Sequence, residues 1–324
     1  MAVTLSVLDL APVPGGGDAA TALRNSLDLA RRTERLGYHR YWVAEHHNSP
    51  GVASAATAVL VGHLAQVTSR MRVGSGGIML PNHAPLVVAE QFGTLEALHP
   101  GRIDLGIGRA PGTDQRTARA LRGARSVEDF PEQLAELLDY FEPDETRAVH
   151  AVPAIGRRPP VWLLGSSGFS AKLAGELGLP FAFAHHISAR NTLPATRLYR
   201  EAFRPSEFLR EPCLALGVAV VCAETRERAE WLAGPAKLRF LSRHHGRAIA
   251  LPSPEEAAAY DYTDDDRQVL ERKFGSHLIG TPELVREGLD TLAQDTGADE
   301  VLLTTMVENH EHRVRSYELL AAAT

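Results

Sequence analysis

The sequence is poor in several features that would place a protein in a specialised class. It has only two cysteines, Cys213 and Cys222, among 324 residues, so we expect free, buried thiols rather than a disulfide framework. No apolar run approaches the roughly 18 residues of a membrane-spanning helix. The first residues lack a basic segment ahead of an apolar core, so no signal peptide is expected. With a net charge of −6 and scattered basic residues, nothing predicts binding to nucleic acid. We therefore expect a cytoplasmic protein that binds neither membrane nor nucleic acid.

Short apolar segments alternate with helical patterns along almost the whole chain. Eight segments rich in Val, Ile and Leu are each followed by a helix pattern: LSVLDLA, YHRYWVAE, MRVGSGGIML, RIDLGIG, PPVWLLG, PFAFAHH, CLALGVAVVC and ADEVLLTT. Strands that are apolar on both faces are typical of parallel strands covered by helices. We predict a single α/β domain over residues 1–324, a (β/α)8 TIM barrel. A doubly wound sheet with a small second domain is the structural alternative.

Residues 242–276 break this alternation. The segment contains LPSPEEAAAYDYTDDDRQ, which is polar, acidic and without strand periodicity. We interpret it as an insertion before the last βα unit. It is either a solvated surface excursion or a mobile lid over the mouth of the barrel.

The polar and glycine-rich motifs follow the predicted strands, where TIM-barrel enzymes carry their active sites. The candidates are Glu45, His46 and His47 after the second strand, Gly74–Gly77 in the third, Arg109 after the fourth, Gly165–Ser170 after the fifth, and His185 and His186 after the sixth. Because the strand ends meet at one face, these residues would surround one mouth.

The segment GSSGFSAK predicts an anion site. Small residues between a strand and a helix let the backbone approach an anion, and the helix N-terminus stabilises its charge. Arg109, from the neighbouring strand end, could bind the same phosphate with two hydrogen bonds. The alternative is that the serines only cap the helix.

Two glycine motifs have different interpretations. Glycines in GSGG mark either a flat ring laid against the backbone or a barrel corner that needs small residues. In GIGRAPG, the spacing of Gly106, Gly108 and Gly112 does not match the dinucleotide fingerprint. The sequence therefore predicts no NAD(P)H site.

The stretch VAEHHNSPG places three titratable side chains together. A metal site needs several ligands that converge, whereas neighbours on an extended chain point to opposite faces. His46 and His47 therefore cannot both face a pocket, and we predict no metal. An acid–base or orienting role for Glu45 and one histidine is favoured, with structural polarity as the alternative.

Together, YWVAEHHNSPG, GSGGIMLPNHAPLVVAEQFGTLEALHPGRIDLGIGRAPG, PPVWLLGSSGFSAKLAGELGLPFAFAHH and GTPELVREGL resemble the bacterial-luciferase-like flavin-dependent monooxygenases, in their single-chain branch. The resemblance covers nearly the whole chain. It implies a barrel that takes reduced FMN (FMNH2) from a separate flavin reductase. A C4a-(hydro)peroxyflavin formed with O2 would then oxidise a hydrophobic organic substrate. The alternatives are an F420-dependent hydride-transfer dehydrogenase of the same superfamily and a flavin-binding protein without turnover.

The resemblance also implies roles for individual residues. His46 matches the family's catalytic histidine, Glu45 would lie beside the flavin ring, and Gly76–Gly77 match a non-prolyl cis peptide beneath it. His185 and His186 are candidate substrate contacts. The residues that would bind the cofactor's phosphate end are Arg109, Leu164, Gly165, Ser166, Ser167, Gly168, Phe169 and Ser170.

Two positions depart from the luciferase subunits. Gly108, counted among the cofactor-binding residues, stands where they have a reactive cysteine, and Ser166 stands where they have a glutamate. The first difference counts against light emission and leaves the flavin prediction unchanged. The apolar helices AATAVLVGHLAQV and LVVAEQFGTLEAL would form a homodimer interface, or would only cover the barrel.

Overall fold

The computed structural model describes residues 3–122 and 127–323, so the remaining positions of the predicted 1–324 domain lie outside the described residues. Eight parallel strands close a barrel in the order β6-β5-β4-β3-β2-β1-β9-β7, with β7 paired back to β6. These strands are β1 (Thr4–Asp9), β2 (Arg40–Val43), β3 (Arg72–Met79), β4 (Ile103–Gly108), β5 (Val161–Gly165), β6 (Phe181–Phe183), β7 (Leu214–Cys222) and β9 (Glu300–Thr304). The predicted TIM barrel is confirmed, and all eight predicted segments contain its strands.

Helices surround the barrel, and some of them lie at its C-terminal mouth. They are α1 (Ala19–Arg35), α2 (Thr57–Val67), α3 (Pro85–Leu98), α4 (Gln115–Arg122), α5 (Phe130–Asp139), α6 (Gly168–Glu176), α7 (His185–Ser188), α8 (Thr192–Ala202), α9 (Arg226–His244), α10 (Pro254–Ala259), α11 (Asp264–Phe274), α12 (Pro282–Thr296) and α13 (His310–Ala322). The Asp18 side chain caps α1 by accepting from the Thr21 N–H at 2.7 Å. No described helix is both long and apolar enough to cross a membrane.

The start of α2 differs from what its sequence suggests. Ser54 looks like an N-cap in the sequence, but α2 begins after Ala56 and has no side-chain cap. The Ser54 hydroxyl instead donates to the Leu10 carbonyl at 3.1 Å. A buried hydroxyl needs a hydrogen-bond partner, and the Leu10 carbonyl in the loop after β1 provides it.

The lower half of the barrel interior is filled by side chains. Buried Arg40 pairs with Asp104 at 2.8 Å and with Glu300 at 2.7 Å. Above this network, the rings of Trp42 and Trp162 meet edge to face with centroids 5.3 Å apart. A TIM-barrel interior is normally packed rather than hollow, and here charges and indole rings do the packing.

The upper half of the interior is left open. At the next inward level, in the strands or just after them, most of the side chains are small. These positions are Ala44, Gly76, Gly108, Ala184 and Gly217. The step from Trp42 in β2 to Ala44 just after it helps to open a cavity at the C-terminal mouth of the barrel.

The segment between α9 and α12 contains α10, α11 and the short strand β8 (Leu278–Gly280), which pairs with the end of β7. Capping boxes begin both helices, at Ser253 with Glu256 and at Thr263 with Asp266. Leu251 pairs with Pro14 in the loop after β1. The segment therefore lies against the C-terminal side of the barrel, and its movement as a lid stays a prediction.

Candidate active site at the barrel mouth

A cavity of about 350 Å³ opens at the C-terminal mouth, and all eight barrel strands or the loops that follow them contribute to its wall. Its floor is apolar, formed by Leu8, Trp42 and Leu302. This size lies within the range of small-molecule sites, about 300–1,000 Å³.

The barrel brings most of the predicted site residues to this one cavity. Those in its wall are His46, Gly76, Gly77, Gly108, Arg109, Leu164, Gly165, Ser166, Ser167, Ser170 and His186. Four others, Glu45, Gly168, Phe169 and His185, are not part of the wall that the described residues form.

The Gly76–Gly77 peptide bond is cis, as the resemblance implies. A Cβ atom on Gly76 would lie 2.6 Å from Leu8 Cδ1, and one on Gly77 would lie 2.7 Å from the Gly106 carbonyl oxygen. The pairing of β3 with β4 also shifts register between Ser75 and Ile78. This irregular part of the barrel therefore leaves no room for side chains at Gly76 and Gly77, as the interpretation of a barrel corner requires. These glycines also line the cavity, and a flat ring laid against them stays a prediction.

The turn from β5 into α6 forms a polar end of the cavity. Ser167 is the N-cap of α6, yet its side chain makes no capping hydrogen bond. Capping therefore does not account for Ser167, whose hydroxyl stays available beside that of Ser166. Exposed backbone N–H groups at a helix N-terminus favour anions.

Arg109 lies at the same polar end, because β4 and β5 are neighbours in the barrel. Its guanidinium carbon stacks 4.1 Å from the centroid of the Phe169 ring, a favourable cation–π arrangement. Phe169 is outside the wall and acts through Arg109, which it holds at the rim.

His46 presents a neutral imidazole to the cavity. Its Nδ1 lies 3.2 Å from the Gly112 carbonyl oxygen, which can only accept, so Nδ1 carries the proton and Nε2 is the basic nitrogen. Burial lowers the pKa of His46, and the charges of Arg239 and Arg243 lower it further. The ring is therefore unprotonated at neutral pH.

Glu45 turns away from the cavity. Its buried carboxylate accepts from His47 and His83 at 2.9 Å and from the Met79 N–H at 3.1 Å. Burial alone would raise the pKa of Glu45, but the hydrogen bonds from His47 and His83 lower it to about 2. His83 was not predicted as a site residue. A signal was present, because the polar pair Asn82–His83 comes shortly after β3, and the other candidate residues also lie at or after strand ends.

The two adjacent histidines after β2 diverge, as strand alternation predicts. His46 faces the cavity, while His47 binds Glu45 behind the wall. Among the described residues, the one cluster with metal-ligand geometry is Asp28, His310 and Glu311. Arg32 pairs there with both carboxylates, at 2.8 and 2.9 Å.

His185 and His186 separate after β6. The strand ends at Phe183, and both histidines lie in the short helix α7 rather than at a strand end. His186 lines the cavity and its Nδ1 donates to the Gly217 carbonyl at 2.8 Å. Burial lowers the pKa of His186 to about 4. His185 binds Thr192 Oγ1 at 2.8 Å, outside the wall.

Comparison with known proteins gives one consistent result. The family model for luciferase-like monooxygenases matches residues 3–300. An Escherichia coli K12 protein named luciferase-like monooxygenase is 46% identical over 98% of this chain and 96% of its own. The crystal structure of apo-MsnO8 superposes with a TM-score of 0.93 at 39% identity, covering 99% of this chain and 98% of that one.

A more distant structure shares the fold. It is the FMN complex of the oxygenating constituent of 3,6-diketocamphane monooxygenase from Pseudomonas putida, with a TM-score of 0.75 and 20% identity. The superposition covers 99% of this chain and 97% of that one.

Proposed function

Because this chain belongs to the luciferase-like monooxygenase family, we propose that it is an FMN-dependent monooxygenase that oxidises a hydrophobic organic substrate with O2. The observation that carries the proposal is one cavity that combines three parts. These are a glycine wall at Gly76–Gly77, a polar end with the free N-terminus of α6 at Ser166–Ser167, and a neutral His46.

These three parts suit reduced FMN. Gly76, Gly77 and Gly108 would take its flat ring, since side chains there would clash with Leu8, Gly106 and Met79. Ser166, Ser167, Ser170 and Arg109 would hold its phosphate. Bound reduced FMN supplies two electrons to O2, so that one oxygen atom enters the substrate and the other leaves as water.

The protein's own groups would then manage protons and water. His46 Nε2, unprotonated and held in place through Nδ1, accepts or returns a proton beside the reacting atoms. The apolar floor of Leu8, Trp42 and Leu302 excludes water from competing reactions. Glu45 is a positioning residue that fixes His83 and the Met79 backbone behind the wall.

Two partners complete the proposal. The sequence has no dinucleotide fingerprint, so a separate flavin reductase delivers reduced FMN. The protein also forms a homodimer through α2 and α3, where Val59 and Val87 are 64% and 44% exposed. These valines lie on neighbouring helices, and such a dimer would cover them. The free thiols of Cys213 and Cys222 suit the reducing cytoplasm.

The test compares wild type with His46→Ala and with a control, His150→Ala, which alters an exposed histidine. Each protein is first titrated with FMN, then mixed as its photoreduced-FMN complex with air-saturated buffer in a stopped-flow spectrometer. We expect wild type to bind FMN and to change its reoxidation rate relative to free FMN. His46→Ala should shift that rate by about a hundredfold or more, a typical general acid–base contribution, and His150→Ala should leave it unchanged.

Three results would contradict the proposal. Reoxidation in wild type at the rate of free FMN, together with tighter binding of F420, would favour the hydride-transfer dehydrogenase. FMN binding without any effect on oxygen chemistry would favour a flavin carrier. Efficient NADH oxidation by the purified protein alone would remove the need for a reductase. Sedimentation at micromolar concentration tests the dimer.

A further inference from the structure

A second cavity lies beside the first. We call the cavity described above the inner cavity, and this one, of about 160 Å³, the outer cavity. The outer cavity is lined by Arg239 and Phe240 of α9, by Lys273, Phe274 and His277 at the end of the insertion, and by Thr304 of β9. It therefore joins the barrel to the segment that interrupts the barrel pattern.

The two cavities follow one another along the same strands. On β7, Gly217 lines the inner cavity and Ala219 lines the outer one. On β9, Leu302 lines the inner cavity and Thr304 lines the outer one. Inward positions two residues apart are separated by roughly 7 Å. His186 links the two, because it lines the inner cavity and its carbonyl accepts from Lys273 Nζ at 2.8 Å.

The outer cavity has positive charge without a negative partner. Within the described residues, neither Arg239 nor Lys273 forms a salt bridge with a carboxylate, and the contact of Lys273 Nζ is with the His186 carbonyl. Burial lowers the pKa of both side chains, and the like charge of Arg243 lowers that of Arg239 further. In the described chain the Arg239 guanidinium donates one hydrogen bond, from Nη2 to Ser49 Oγ at 3.0 Å. Both side chains are half-buried, and the Arg239 Nε atom is buried without a hydrogen-bond partner among the described residues. Because desolvated positive charges are normally paired, an anion from outside the chain would suit this position.

His277 adds a second polar group without a partner to the outer cavity. Its Nε2 is buried and has no hydrogen-bond partner within the described residues. Buried polar atoms without partners are uncommon in native proteins. Like Arg239 and Lys273, this residue lines the outer cavity.

The phosphate of the cofactor does not explain this cluster. The phosphate end proposed above lies at the ends of β4 and β5, whereas the outer cavity lies at the ends of β7 and β9. In the barrel order, β6 separates β5 from β7. The cationic cluster of the outer cavity is therefore separate from the proposed phosphate end.

We propose that the outer cavity binds the carboxylate of the substrate through Arg239 and Lys273, while the apolar part of the same molecule extends into the inner cavity towards His46. This rests on the proposed function and narrows its substrate to a hydrophobic monocarboxylate. The remaining lining of the outer cavity is largely apolar, including Val220, Phe240, Phe274 and Ile279. A singly charged head group suits such surroundings better than a dianionic phosphate, because desolvating two charges is harder.

The test measures selectivity between two probes of equal chain length, octanoate and octanol. Calorimetric titration of each probe into the full-length protein gives the ratio of the two affinities. The variants are Arg239→Gln, Lys273→Met and, as a matched control, Lys237→Met. Lys237 lies on the same helix, two residues from Arg239, and pairs with Glu230 at 2.6 Å. FMN binding is measured in parallel on every protein.

We expect wild type to bind octanoate about tenfold or more tightly than octanol, as a charge-assisted hydrogen bond provides. Arg239→Gln should remove most of that preference, Lys273→Met should reduce it, and Lys237→Met should preserve it. If Arg239 had a merely structural role, Arg239→Gln would weaken the binding of both probes alike. The ratio of the octanoate and octanol affinities would then stay unchanged.

Other outcomes would overturn the inference. One is equal binding of octanoate and octanol to wild type. Another is a preference that survives in both variants, or one that disappears only in Arg109→Gln, which would place the carboxylate at the phosphate end. Loss of FMN binding with the carboxylate preference intact would instead refute the proposed function alone.

Discussion

Replacing Glu45 by glutamine should destabilise the protein by an amount that depends on pH. The change keeps the shape of the side chain but removes its charge and replaces one acceptor oxygen with a donor group. His47, His83 and the Met79 N–H all direct hydrogen bonds at this carboxylate. At least one of them would then face another donor inside the protein, where an unsatisfied polar group costs about 1–3 kcal/mol.

The size of the effect follows from the pKa of Glu45. In the folded protein it is lowered from 4.5 to about 2, and each unit corresponds to about 1.4 kcal/mol, so the ionised carboxylate stabilises the fold by roughly 3 kcal/mol. Because the folded pKa lies below the unfolded one, this stabilisation is complete above pH 4.5. It is lost as the pH falls from 4.5 to 2.

Urea unfolding of wild type and Glu45→Gln, followed by tryptophan fluorescence at several pH values, measures the difference. We expect a loss of about 3 kcal/mol at pH 7 that shrinks below pH 4. Glu201→Gln, which alters an exposed carboxylate on α8, should have little effect at any pH. A Glu45→Gln loss below about 1 kcal/mol at pH 7, or one that stays constant down to pH 3, would refute the reasoning.

Two further substitutions test other contacts. A Cβ on buried Gly51 would lie 2.4 Å from Arg239 Nε, so Gly51→Ala should displace the guanidinium and lower the octanoate-to-octanol affinity ratio several-fold. An unchanged ratio would contradict the placement of Arg239. Buried Arg313 pairs with buried Asp9, so Arg313→Met should leave an unpaired carboxylate and lower the free energy of unfolding by about 3–5 kcal/mol. A melting temperature equal to that of wild type would contradict this account.

The fold could be predicted from the sequence because the strand-and-helix pattern is repeated eight times. Each strand is a short apolar run between helix patterns, and errors at one element do not change the count. The helices α4, α10 and α11 were not predicted, since their apolar residues are few. For α10 and α11 a signal was nonetheless present, because Ser253-x-x-Glu256 and Thr263-x-x-Asp266 have the spacing of capping boxes.

The location of the site could be predicted from the sequence, because it follows from barrel geometry alone. Residues that follow the strands must meet at one mouth, and alternation correctly sends His46 and His47 to different sides. The same alternation puts Glu45 and His47 on one side of the chain, behind the cavity wall. This pairing could have been predicted from the sequence but was not. Arg239 and Lys273 were out of reach, because they come from a helix and an insertion whose packing depends on distant contacts.

The sealed lower half of the barrel has a consequence for how such an enzyme can change. Arg40 with its two carboxylates and the crossed rings of Trp42 and Trp162 hold the strands together beneath the cavity. Residues such as Ala44, Ala184 and Gly217 contribute little packing above them. Substitutions in the upper layer can therefore change the shape of the cavity at little cost to stability, because the lower layer holds the strands together. In this protein, the side chains that pack the lower barrel and the small residues that line the cavity therefore lie in separate layers.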